Sequence, residues 1–268
     1  MSRASGMRAA VLGSPIAHSL SPVIHRAAYK ALALDWTYQA LDISPIQLPE
    51  FLAEMDESWA GLSLTMPLKE TVIEHLAEVD DLARRVRSVN TVLPTKRGLL
   101  GTNTDVYGMI QALNTAGLEV CATATILGAG ATARSAVAAA AALGVTSITV
   151  CARRQSAALD VCAVATEFGV AANARDLEPV ADLLNADLVI STLPGDIAAR
   201  WVPFVGDGVG ALQDVSYYPW PTALAAVWPT KVIANGRDLL LWQAAEQVHL
   251  MTGQDAPVPQ MRMALDAA

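Results

Sequence analysis

The sequence predicts an α/β protein in which an N-terminal α/β domain is followed by a doubly wound parallel sheet. Three observations carry this expectation. Short apolar segments alternate almost throughout with longer ones whose apolar residues recur at helical spacing. Past residue 117 the composition shifts toward Ala and Val. Just beyond that shift, a strand, a glycine turn, a helix and a second strand follow one another over about the length of a βαβ unit.

The elements follow in order. MRAAVLG reads as a first strand, and SPVIHRAAYKALAL as a helix with Ser21 as N-cap and Pro22 in its first turn. WTYQALDI is a second strand, and PIQLPEFLAEM is helical. Leu62–Thr65 alternates apolar and hydroxyl residues behind a glycine and reads as a short strand. Pro67 then takes the first helical position of LKETVIEHLAEV, residues 68–79, which puts Lys69 in the first turn. SVNTVLP and GLLGTN are two strands joined by a turn at TKRG, and the first α/β layer ends near residue 104.

DVYGMIQALNTAG is a helix stopped by Gly117. TATILGAGATARSAVAAAAALGVTSITVCARR supplies the strand, turn, helix and strand named above, with Gly144 ending the helix. NADLVISTLP, VGALQDVS and TKVIANG are further short apolar strands, alternating with helices such as SAALDVCAVATEFG. RDLLLWQAAEQVHLMTG and PVPQMRMALDAA close the chain as helices.

Length and charge bound the function. A chain of 268 residues makes one or two domains. A formal charge of −8 speaks against a nucleic-acid binder, which needs a basic face. The three cysteines, Cys121, Cys151 and Cys162, lack CxxC spacing and read as buried apolar residues in a reducing compartment. MSRASGMRAAVLGSP holds no signal-peptide core, and SAVAAAAALGV is too short and too weakly apolar to span a bilayer. The expectation is a soluble cytoplasmic protein with no nucleic-acid or membrane partner. The four histidines, His18, His25, His75 and His249, show no metal spacing, so no metal is expected.

GAGATA, running through Gly128, Ala129, Gly130, Ala131, Thr132 and Ala133, matches G-x-G-x-x-A between a strand and a helix. Gly128 permits the tight turn, Gly130 lets backbone approach a pyrophosphate, and Ala133 allows close helix–strand packing. The helix N-terminus offers N–H groups to phosphates. A tight turn with no ligand is the plain alternative, but the flanking strand and helix are those a Rossmann-type dinucleotide site requires. The next strand ends in VCARR with no acid before Asp160. Arg153 and Arg154 therefore point to the 2′-phosphate of NADP rather than to NAD.

Three polar stretches stand out in the first half. AHSLSP puts Ser19 and Ser21 at a helix entrance, where hydroxyls and free N–H groups can hold a carboxylate, or where Ser21 simply caps its helix. SVNTV puts Asn90 in an apolar strand, where its amide needs a partner. GTNTD puts Asp105 at a helix start, which its charge alone would favour.

With LTMPLKE, GAGATAR and NGRDLLLWQAAEQ, these stretches resemble the shikimate dehydrogenase family, in the same order, from about residue 8 to residue 255. The resemblance implies NADPH-dependent reduction of 3-dehydroshikimate to shikimate, a small-molecule substrate, in the cleft of a two-domain protein. It implies a substrate-binding domain over 1–104, completed by helices in 237–268, and an NADP-binding Rossmann domain over 105–236. The family's catalytic lysine and aspartate fall on Lys69 and Asp105, and its carboxylate-holding serines on Ser19 and Ser21. Contacts to substrate hydroxyls fall on Thr65, Asn90, Asp105 and Gln243, with Tyr217 on the substrate side. Thr192 and Gly236 join Gly128–Ala133, Arg153 and Arg154 on the cofactor side. In this reading the helix dipole disfavours the Lys69 ammonium while Asp105 favours it, which tunes the lysine for proton transfer.

The chain departs from the family pattern at several places. Ser63 stands where the family commonly has Asn, so a bridge made by that amide is expected to be lost or taken over by water. Ala157 replaces the second basic residue of the cofactor loop, with Arg154 as substitute. Ile190–Thr192 replaces a common Asn-Ala-Thr, and Asn235-Gly236 with Arg237-Asp238-Leu239 replaces a Gly-Met-bearing stretch, leaving Leu240 to take the methionine's place. Quinate dehydrogenases using NAD share the architecture, and a non-catalytic NADP(H)-sensing regulator is the alternative from another class. The paired serines and arginines favour shikimate with NADP, and a sensor needs neither Lys69 nor Asp105. Hinge motion near 101–106 and 235–239 is expected, in a monomer or homodimer.

Overall fold

The computed structural model describes residues 6–118 and 120–268. Two units divide the chain: one runs to Asp105 and takes in Leu240–Ala268, and the other is Val106–Leu239.

The first unit opens with β1 (Arg8–Gly13), α1 (Ser21–Ala31), β2 (Thr37–Asp42), α2 (Leu48–Ala53), β3 (Trp59–Leu64) and α3 (Leu68–Thr71). It continues with β4 (Glu78–Val79), α4 (Asp81–Val86), β5 (Thr91–Thr95) and β6 (Gly98–Thr102). Its six-stranded mixed sheet runs β2-β1-β3-β5-β6-β4, with β3–β5 and β5–β6 antiparallel. Successive side chains of a strand face opposite ways. Thus Ala9 and Val11 join a core with Ile24, Tyr29, Tyr38 and Val248, while Ala10 and Leu12 join another with Leu62, Leu64, Leu68 and Val72. Burial on both faces is why β1 reads as a continuous apolar run.

Two expectations about this half are corrected. Ser21 is the first residue of α1 and not its cap; Leu20 holds the cap position without a side-chain bond, and Ser19 Oγ accepts from the Ser21 N–H at 3.3 Å. The helix expected over 68–79 stops after one turn of α3 and a 3-10 turn over Val72–His75. Leu76 is extended, and Glu78–Val79 pair in parallel with Leu100–Gly101 of β6. Here sheet pairing overrides the helical pattern, and Leu68 and Val72 satisfy their apolar demand in the core without a long helix. The sequence reading also passed over α4, which Asp80 caps by accepting from Ala83 N–H at 2.7 Å.

The second unit begins within α5 (Asp105–Thr115) and continues with β7 (Thr123–Leu127), α6 (Ala131–Ala142), β8 (Ser147–Ala152) and α7 (Gln155–Glu167). It goes on with β9 (Ala171–Asp176), β10 (Leu188–Ser191), α8 (Gly195–Ala198), β11 (Ala211–Asp214), α9 (Ala223–Val227) and β12 (Ile233–Asn235). All pairs in this sheet are parallel, in the order β12-β11-β10-β7-β8-β9. That is the doubly wound order of dinucleotide-binding folds, with its reversal between β7 and β10. The alanines of α6 bring it close to its neighbours: Ala133, Ala136, Ala139 and Ala140 are fully buried. α10 (Gly236–Thr252) and α11 (Val258–Asp266) end the chain, and Leu241, Val248, Met261 and Leu265 fill the core of the first unit.

The three cysteines are buried and free. Among the described residues no helix is long and apolar enough to cross a membrane.

Candidate active site

In the first unit the loops leaving the strands converge. Ser14 N–H donates to Met66 O at 3.2 Å, which lays the chain leaving β1 against the chain leaving β3. Leu64 N–H donates to Asn90 O at 2.7 Å, and Val89 N–H to Lys69 O at 2.8 Å, so the segment entering β5 lies beside α3. Asn90 N–H donates to Thr102 O at 3.1 Å, which brings the end of β6 and the start of α5 to the same place.

Lys69 and Asp105 meet there. Lys69 Nζ donates to Asp105 Oδ2 at 2.6 Å, with side-chain exposures of 14% and 7%. Asn90 Nδ2 donates to the other carboxylate oxygen at 2.8 Å and to Thr104 Oγ1 at 3.0 Å. Both oxygens of the buried carboxylate are therefore satisfied, as a charge removed from water requires. Asp105 also heads α5, where the helix dipole favours an anion. The dipole expected to oppose the Lys69 ammonium is slight, because α3 is only four residues long; the pairing with Asp105 dominates. An ammonium carries three donors, so Lys69 keeps capacity for another oxygen.

The remaining candidates of this unit differ in burial and in their partners. Thr65 follows β3 and donates its N–H to Leu12 O at 2.9 Å. Ser19 is partly exposed and Ser21 buried. Gln243 lies on α10 and turns its amide onto Leu240 O at 2.9 Å. His18 is exposed, whereas His25 is buried, donates from Nδ1 to Ser21 O at 2.9 Å and stacks on Tyr38 at 4.0 Å.

Ser63 does not lose its bridging capacity: Tyr38 Oη donates to Ser63 Oγ at 2.6 Å, and Ser63 Oγ donates to Gln247 Oε1 at 2.8 Å. Sequence reasoning missed Tyr38, Thr91, Thr104 and Gln247. One signal was available for Gln247, which lies one helical turn beyond Gln243 and so on the same face of α10.

In the second unit, Gly128 adopts φ +111, and a Cβ there would collide with Thr192 Oγ1. Thr192 donates its hydroxyl to Leu127 O at 2.9 Å, joining the ends of β10 and β7 beside the glycine turn. Gly130 precedes α6, is exposed, and has open space where a Cβ would stand. Ala129, Ala131 and Thr132 are partly exposed and Ala133 is fully buried. Arg153 and Arg154 are exposed at the end of β8, with Arg154 at the start of α7. Gly236 packs so closely on Val215 that a Cβ would overlap its carbonyl. Tyr217 follows β11, and burial raises its phenol above the ordinary value. An open glycine turn at a helix N-terminus with arginines on the next strand end fits a dinucleotide carrying a 2′-phosphate. Among the described residues no cluster of three or more His, Cys, Asp or Glu could hold a metal.

Two family models match the chain: the shikimate dehydrogenase substrate binding domain over residues 11–92, and the shikimate 5'-dehydrogenase C-terminal domain over residues 236–265. A shikimate dehydrogenase (NADP(+)) of Thermosynechococcus vestitus is 31% identical over 270 residues, covering 96% of this chain and 94% of the relative. The crystal structure of Mycobacterium tuberculosis shikimate dehydrogenase is 38% identical, with a TM-score of 0.89 over 98% of this chain and 100% of that one. Shikimate 5-dehydrogenase from Thermus thermophilus, in complex with NADP(H) and shikimate, is 32% identical, with a TM-score of 0.82 over 97% and 99%.

Proposed function

The chain belongs to the shikimate dehydrogenase family, and from that membership we propose that it is an NADP-dependent shikimate dehydrogenase that reduces 3-dehydroshikimate to shikimate. The observation that carries the residue-level reading is the buried Lys69–Asp105 pair at 2.6 Å, with Asn90 on the second carboxylate oxygen.

NADPH, when bound, supplies the hydride to the carbonyl carbon. Lys69 Nζ gives a proton to the carbonyl oxygen as negative charge develops there, and regains one from solvent. Asp105 holds the ammonium in place and accepts from a neighbouring substrate hydroxyl, since a carboxylate only accepts. Asn90 fixes the carboxylate's orientation, so the pair needs little rearrangement as charge moves. Ser19 and Ser21, at the entrance of α1, hold the substrate carboxylate, and Thr65 and Gln243, with Asn90 and Asp105, take its hydroxyls. On the second unit, Gly128–Ala133 would cradle the pyrophosphate, Arg153 and Arg154 would take the 2′-phosphate, and Thr192 and Gly236 would complete the cofactor side.

Quinate oxidation with NAD is the competing activity, and the exposed arginines at the end of β8 favour the reading chosen here. The test is a four-way initial-rate comparison of shikimate and quinate, each with NADP and NAD. The highest kcat/KM is expected for shikimate with NADP; a clear preference for quinate with NAD overturns the assignment.

A further inference from the structure

A one-way chain of buried hydrogen bonds ends on Asp105. Tyr38 Oη donates to Ser63 Oγ at 2.6 Å, and Ser63 Oγ to Gln247 Oε1 at 2.8 Å. Gln247 Nε2 donates to Thr91 Oγ1 at 2.9 Å, and Thr91 Oγ1 to Asn90 Oδ1 at 2.9 Å. Asn90 Nδ2 then donates to Asp105 Oδ1 at 2.8 Å. All these residues belong to the first unit.

The direction of the chain is forced, because two backbone groups fix both amides. Gln247 Nε2 also donates to the Asn90 carbonyl at 3.2 Å, and a carbonyl cannot donate in return. Asn90 Oδ1 also accepts from the Thr104 backbone N–H at 2.8 Å, and that group cannot accept. With Gln247 so oriented, the Ser63 hydroxyl facing Oε1 has to donate, which leaves its lone pairs for Tyr38. The Thr91 hydroxyl facing Nε2 has to accept, and its own proton goes to the nearer of two acceptors, Asn90 Oδ1 at 2.9 Å against Thr104 Oγ1 at 3.4 Å. Turning the Asn90 amide over would present Oδ1 to the Asp105 carboxylate and an NH₂ to the Thr104 N–H, so both groups oppose the turn. Gln247 adds to them through Thr91, because its NH₂ takes a Thr91 lone pair and directs the Thr91 proton onto Asn90 Oδ1. The Tyr38 ring at the head of the chain is held by its stack on His25, 15° from parallel.

We propose that Gln247, with Ser63 and Tyr38 behind it, is a positioning residue for the reaction: it reinforces, through Thr91, the orientation in which the Asn90 NH₂ faces Asp105. Aligned hydrogen bonds polarise one another in a buried site, so the reinforcement reaches across three intervening bonds. The proposal rests on the role assigned above to Asp105. It also gives Ser63 a use: a short hydroxyl at that position is what lets Tyr38 and Gln247 meet through one oxygen.

The test is steady-state kinetics of shikimate oxidation by Gln247→Met, which keeps the volume and removes both polar ends. kcat is expected to fall about tenfold, the kinetic equivalent of one lost hydrogen bond, while KM for NADP stays at the wild-type value. On an Asp105→Asn background the same substitution is expected to add a loss of less than about twofold, because its effect runs through Asp105. A kcat within about twofold of wild type, or an undiminished further loss on that background, overturns the proposal. Tyr38→Phe decides the matter if Gln247→Met is not recovered folded. It removes one oxygen at the head of the chain and is expected to lower kcat about threefold with KM for NADP unchanged, and a wild-type kcat then overturns the proposal. The role of Asp105 fails by a different sign: Asp105→Asn itself then keeps its turnover.

Discussion

Asp105 Oδ2 lies 2.6 Å from Lys69 Nζ, while Asn90 Nδ2 holds Oδ1 at 2.8 Å. Each oxygen of one buried carboxylate thus has its own donor, and the carboxylate is the hinge between a cation and an amide. Asp105→Asn keeps the shape but lacks the charge and has only one accepting oxygen for two donors. Its kcat for shikimate oxidation is expected to fall about 10²–10³-fold, with a smaller change in KM. Steady-state kinetics with saturating NADP measure it.

Arg153 and Arg154 stand exposed at the end of β8. Replacing both with Ala is expected to raise KM for NADP roughly 10- to 100-fold, the worth of charge-assisted hydrogen bonds to a phosphate, while KM for NAD moves little. Initial rates with each dinucleotide at fixed shikimate check this.

His25 supplies a pH dependence. Burial lowers its pKa from the ordinary 6.5 to about 4, against the smaller opposing effect of the bond to Ser21 O. The folded state therefore favours the neutral ring. The stability this gives is complete above pH 6.5 and is lost as pH falls from 6.5 through about 4. Burial raises the pKa of Asp214, so that group acts in the opposite sense and favours the fold on acidification through the carboxylate range. Urea unfolding between these limits is expected to show a falling free energy in the wild type and a flatter profile in His25→Phe, which keeps a ring against Tyr38.

Gln213 of β11 is fully buried, and among the described residues neither amide atom has a hydrogen-bond partner. A buried amide without partners costs more than an apolar group of the same size. Gln213→Met is expected to raise the melting temperature by roughly 2–4 °C, with kcat unchanged. Thermal unfolding followed by circular dichroism tests it, and a lowered melting temperature contradicts it.

The parallel half was legible because its signals are local. Gly128 announces a backbone that only glycine adopts easily, and Leu188–Ile190 of β10, buried on both faces, read as an apolar run. The stretch after Pro67 was misread because its helical spacing is real, yet the pairing of Glu78 and Val79 with β6 is set by residues far along the chain. Ser21 was misread as a cap because a serine before a proline is a common helix entrance, and only coordinates show Ser19 taking the Ser21 N–H. At the site, Asn90 stands out as an amide in an apolar strand, Lys69 as a cation in a helix's first turn and Asp105 as an acid at a helix start, and the family resemblance joins the three. Tyr38 and Gln247 do not stand out, because a tyrosine in an alternating strand and a glutamine on a helix look ordinary. The Ser63–Gln247 bond joins positions 184 residues apart, and no local pattern carries it.

The central claim is that Lys69 handles the proton of a ketone reduction beside Asp105. Its most direct measurement is kcat of Lys69→Ala with shikimate and NADP, on protein whose circular dichroism matches the wild type. The expected result is a fall of about 10²–10⁴-fold with KM for shikimate changing much less, the usual worth of a positioned acid or base. Turnover within about threefold of wild type contradicts it, since the loss of a positioned proton donor costs far more than that.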